Sequence, residues 1–201
     1  MTNRRTFLLG SASVALPLGL GGCFDRPCHE QNPQQREFLA ALAKLAKPAL
    51  SSGNPLQIEE AAKQSMKLSS QVGVFSDWCG TLRKIEGNAQ NVAVTIEIGP
   101  QVNLFAFNDW TLALAGSIAD LFSTRTREAK PPGLSEAAVA ALKTFRLGDR
   151  VQLAGRMGEI AGSGLFDVSQ WIGKSEAENR QFLQTPRFIG RIEALTAPKR
   201  A

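Results

Sequence analysis

The chain has 201 residues, with 23 lysines and arginines against 18 aspartates and glutamates, three cysteines and one histidine. That length suits one domain with a small extension and can bury a proper core. The formal charge of +5 falls to +3 without Arg4 and Arg5, which precede every acidic residue. Such a weak excess does not by itself mark a nucleic-acid protein, and one histidine leaves little material for a histidine-dependent hydrolase or a zinc site.

The first segment is expected to be a leader. Arg4 and Arg5 precede an uncharged run, 6–22, that is diluted by Gly10, Ser11, Ser13, Pro17 and Gly19. A charged start, a short apolar middle and a small-residue end describe an export signal rather than a span, since a spanning helix wants about 20 mostly apolar residues. Arg4-Arg5-Thr6-Phe7-Leu8 resembles the twin-arginine export motif at Arg4, Arg5, Phe7 and Leu8, with Asn3 and Leu9 departing from it. Leu20-Gly21-Gly22-Cys23 resembles the bacterial lipobox. The two resemblances together imply a signal peptide at 1–22 and an acylated Cys23 at the mature N-terminus. They also imply attachment to a membrane of the bacterial cell envelope, facing the periplasm. Residues 24–33 hold two prolines and no helical pattern, so 23–32 is expected to be a lipidated tether. Cys28 and Cys79 remain. In an oxidising compartment they are disulfide candidates, with two free thiols as the alternative.

A helical hairpin is expected over 33–72. Asn32-Pro33 places a cap and a first-turn proline, and Phe38, Leu39, Leu42 and Leu45 follow at helical spacing. Lys47-Pro48 is expected to end that helix. Asn54-Pro55 repeats the start signal, and Leu56, Ile58, Ala62 and Met66 give a second apolar stripe running to about Gln71. From Phe75 onward the period changes to two. Trp78, Gly80 and Leu82 alternate in a first strand. Val92, Val94, Ile96 and Ile98 alternate in a second, and Val102, Leu104 and Ala106 in a third. Ser135 caps a helix ending near Phe145. Leu147-Gly148-Asp149 turns into a fourth strand at Val151 and Leu153. Residues 175–184 are helical, and Phe188 and Ile192 belong to a last strand.

Strand, strand, strand, helix, strand, insertion, strand is the order of the OB-fold, a five-stranded Greek-key barrel. Trp78-Cys79-Gly80-Thr81-Leu82 and Leu147-Gly148-Asp149-Arg150-Val151 resemble the first strand and the entry to strand four of tRNA-anticodon-binding-like OB domains. The expected fold is therefore mainly β with helices (α+β): an OB-fold-like domain over 73–201, carrying insertions at 108–133 and 158–186.

Two ligand surfaces are candidates. If Leu104 and Ala106 face the interior, Phe105 and Phe107, with Trp110, face outward, where aromatic rings suit stacked bases. The alternative, favoured because large exposed apolar patches are uncommon, is that the 108–133 insertion or the hairpin covers them. Arg83, Arg150, Arg156 and Arg191 fall on the outward side of strands one, four and five. They form either a patch for an anionic ligand or an ordinary solvated face among glutamates. No catalytic set, metal site or cofactor motif is found: His29 sits in the tether, and Gly158, Gly162 and Gly164 lack a phosphate-loop context. The expected function is a non-enzymatic, membrane-tethered binding or scaffold module. Its partner would be another envelope protein, a polysaccharide or a small anionic ligand. Single-stranded nucleic acid is the less favoured alternative, and a hydrolase with an unrecognised site is the third.

Overall fold

The computed structural model describes residues 27–88, 91–108, 133–157 and 175–198. A single turn of helix, α1 (Cys28–Gln31), leads into α2 (Pro33–Ser52). Asn32 is extended and its side chain accepts the Gln35 N–H at 3.0 Å, which satisfies one of the orphan donors of the first turn. Pro48 does not end α2: the helix continues over it to Ser52. A proline costs an interior helix one hydrogen bond. The last turn survives because Ala49 is buried, the Ser52 hydroxyl donates to the Ala49 carbonyl, and Gly53 closes the end at φ 63. The next helix, α3 (Pro55–Val72), is capped by Asn54, whose side chain accepts the Leu56 N–H. It buries Ile58, Ala61, Ala62, Ser65, Met66 and Ser69 on one stripe, whereas Leu56, expected within it, is 75% exposed.

The barrel follows. Its strands are β1 (Val74–Gly87), β2 (Val92–Gly99), β3 (Val102–Phe107), β4 (Arg150–Met157) and β5 (Arg187–Thr196). They close in the order β1-β2-β3-β5-β4, with β3 and β5 parallel and the other pairs antiparallel. This is the OB-type barrel that the order of elements predicted. Two further helices, α4 (Glu136–Leu142) and α5 (Glu176–Gln184), are capped by Ser135 and Ser175. The expected register holds: Trp78, Leu82, Val94, Ile96, Leu104, Val151, Leu153, Phe188 and Ile192 are all 1% exposed or less. The turn at Gly148 (φ 92) is stitched to β1 by Leu82, whose carbonyl accepts the Gly148 N–H while its own N–H donates to Asp149.

Helices close opposite ends of the barrel. Near α4, Leu134 bridges Ile192, Ser135 N–H donates to the Ile192 carbonyl, and Ala138 and Leu142 are buried. At the other end, Phe38 of α2 enters between Trp78 and Phe188, with ring centroids 5.6 and 5.4 Å away. The hairpin and the barrel therefore share one hydrophobic core. Residues 28–32, expected as part of a leash, instead form α1 and the cap of α2.

Candidate functional site

A disulfide and a set of buried hydrogen bonds join the N-terminal segment to the barrel. Cys28 is disulfide-bonded to Cys79 on β1, with Cα atoms 5.6 Å apart. Seven residues on, Gln35 is fully buried. Its Nε2 donates to the carbonyls of Cys79 and Ile98, at 2.6 Å each, and its Oε1 accepts the Cys79 N–H at 2.8 Å. The β1–β2 ladder runs from Gly87 only as far as Thr81. Where the two strands part, the Gln35 amide takes the place of the missing neighbour, satisfying backbone groups that would otherwise be buried without partners. Gln34 accepts the indole N–H of Trp78 at 3.0 Å and donates to the Val74 carbonyl, and Asn32 donates to the Ser76 carbonyl. Asn32, Gln34, Gln35 and a disulfide thus fasten the start of the hairpin to β1. The apolar stripe of Phe38, Leu39, Leu42 and Leu45 left Gln35 out, although its spacing from Phe38 and Leu42 was the signal available for it. That a glutamine there serves two strands needed the fold to be seen.

The two expected ligand surfaces fare differently. Phe105 and Phe107 are 3% and 0% exposed, so neither ring offers an open stacking face. Their centroids lie 5.3 Å apart, and the Arg187 guanidinium sits 4.5 Å over the Phe105 ring. Partial desolvation lowers the Arg187 pKa below its ordinary value, against the opposing pull of Glu86, although the residue as a whole is exposed. Strand alternation missed this cation because its contact is made from β5 across β3. The four outward arginines do not gather into one patch. Arg150 and Arg156 stand at opposite ends of β4, about 20 Å apart at strand rise. Arg83 is paired with Glu97, whose carboxylate also accepts the Gln101 N–H. Arg156 and Arg191 are direct cross-strand partners, and both lie 3.7 Å from Glu193. Cys23, Arg4, Arg5, Phe7, Leu8 and Trp110 lie outside the described residues.

Two hollows involve the hairpin. One, of about 400 Å³, has Leu39, Val102, Leu183 and Pro186 among its apolar lining, with His29, Glu30 and Arg36 beside them. It lies next to the Cys28 junction, and its volume falls in the range of small-molecule sites. The other is a broader groove between α2 and α3. Among the described residues, no group of three or more His, Cys, Asp or Glu is placed to hold a metal ion, and no helix is long and apolar enough to cross a membrane. No family model, curated protein or solved structure matches the chain.

Proposed function

We propose that the chain is a lipid-anchored protein of the bacterial cell envelope, exported through the twin-arginine route and acylated at Cys23. Its OB-type barrel faces the periplasm and works as a binding or scaffold module rather than an enzyme. The observation that carries the reading is the Cys28–Cys79 disulfide. A cross-link between the two cysteines outside the Leu20-Gly21-Gly22-Cys23 box fits an oxidising compartment, and a lipobox ahead of it fits a lipoprotein of that compartment. The hollow beside the junction, with an apolar lining and both Glu30 and Arg36 at its edge, fits a small amphiphile or a partner's side chain. Single-stranded nucleic acid is less well served, because Phe105 and Phe107 are buried and the arginines are dispersed.

The test is the mass of the N-terminal peptide of the protein extracted from its own membranes. An acyl-modified Cys23 is expected, with Cys23→Ala accumulating as unprocessed precursor. An unmodified Cys23 in the mature protein rejects the anchor. Crosslinking in intact cells followed by capture then names the partner. Turnover in a hydrolase screen rejects the non-enzymatic reading.

A further inference from the structure

The hairpin holds most of the chain's charge imbalance. Between Pro33 and Val72, Arg36, Lys44, Lys47, Lys63 and Lys67 stand against Glu37, Glu59 and Glu60. That is an excess of +2, where the whole chain beyond residue 22 has +3. At about 100° per residue, Lys44 and Lys47 lie on the side of α2 away from its buried stripe of Gln35, Phe38 and Leu42. Lys63 and Lys67 lie likewise opposite Ile58, Ala62 and Met66 on α3. All four lysines are exposed. Lys63 is paired with Glu59 at 2.5 Å, whereas no ion pair involves Lys44, Lys47 or Lys67 among the described residues. Lys44, Lys63 and Lys67 outnumber the single acidic residue, Glu60, along the groove of about 720 Å³ between the helices, which also includes Ala41, Leu45 and Leu68.

A second observation says what that face meets. Cys23 is five residues before Cys28, and Cys28 is bonded to the barrel. Five residue steps reach at most about 18 Å, less than the roughly 30 Å length of a 20-residue helix such as α2. A lipid on Cys23 therefore leaves the domain no long leash, and it keeps the start of α2, where Cys28 is fastened, beside the bilayer. We propose that the outer lysine face of the α2–α3 hairpin docks on anionic phospholipid headgroups, so that the barrel stands on the membrane with its α4 end turned away. This inference rests on the acylation of Cys23 proposed above.

The experiment is amine footprinting of the full-length, membrane-extracted protein in three settings. These are vesicles of phosphatidylcholine and phosphatidylglycerol, vesicles of phosphatidylcholine alone, and detergent. Lys44, Lys47 and Lys67 should react about fivefold more slowly on the anionic vesicles only, the factor that corresponds to about 1 kcal/mol per lysine near an anionic surface. Lys143, exposed at the end of α4, should react equally in all three. A ten-residue Gly/Ser insertion after Phe24 should weaken the protection, because it lengthens the leash. An acylated Cys23 with equal lysine reactivity everywhere would overturn the docking and leave the anchor standing. A peptide mass showing no acyl group would remove the anchor and the docking together.

Discussion

A glutamine amide offers two donors and an acceptor oxygen, and Gln35 uses both functions on backbone groups of two separate strands. Gln35→Leu keeps the bulk but leaves the Cys79 N–H and two carbonyls buried without partners. A loss of about 2–4 kcal/mol in urea-induced unfolding is expected, given the usual cost of orphaned buried groups. Gln34→Ala removes the acceptor of the Trp78 indole N–H, but at an exposed position that water can enter, and should cost only about 1 kcal/mol. Equal losses would show that the amide is not what closes the β1–β2 gap. Gly155 makes a steric case of the same kind. A Cβ there would overlap the Arg191 carbonyl of β5, so Gly155→Ala must separate two paired strands and should destabilise by several kcal/mol, on the scale of overpacking. Ile96, fully buried, and Thr95, half-buried on the next position of β2, test the register itself. Ile96→Ala is expected to cost about 2–5 kcal/mol, and Thr95→Ala far less.

Among the elements, α1 depends most on a single bond. The Cys28–Cys79 disulfide closes a loop of 51 residues, worth about 4 kcal/mol in the chain-entropy model. Replacing both cysteines with serine should lower stability by roughly that amount and release 28–31 to proteolysis. The hairpin should stay docked, because Asn32, Gln34 and Gln35 hold it independently. Thiol titration of the unfolded, unreduced, acylated protein should find no reactive thiol; two per chain would reject the bridge. The starts of elements were legible because caps are local: Asn32, Asn54, Ser135 and Ser175 each act within three residues of themselves. The stops were less so. Pro48 reads as a terminator, yet packing of Ala49 one position later outweighs the lost hydrogen bond. Alternation alone does not decide burial on β3, and the favoured reading that Phe105 and Phe107 are covered is the one their burial supports. A period of two says which side a residue faces, but not whether that side is covered, and Phe105 and Phe107 are as buried as Leu104 and Ala106.

At the scale of the whole molecule, the order of strands was readable, since each strand's pattern is local and the OB arrangement follows from their sequence. The union of hairpin and barrel was not, because it is made of contacts such as Phe38 with Trp78 and Phe188, far apart in the chain. That union has a thermodynamic consequence. Two units that share one core lose it together, so the protein should unfold in a single cooperative step despite its two-part sequence. Ile58→Ala in α3, fully buried and distant from every strand in sequence, is the discriminating change. In one unit it should cost about 2–5 kcal/mol and move the loss of helix, followed by far-UV circular dichroism, and the loss of aromatic packing, followed in the near-UV, to the same lower urea concentration. If the helical signal alone moved while the aromatic signal kept its midpoint, the hairpin would be an appendage. Its orientation would then say nothing about how the barrel stands on a membrane. Coincident midpoints would make the hairpin a rigid base for the barrel, which docking through a lysine face requires.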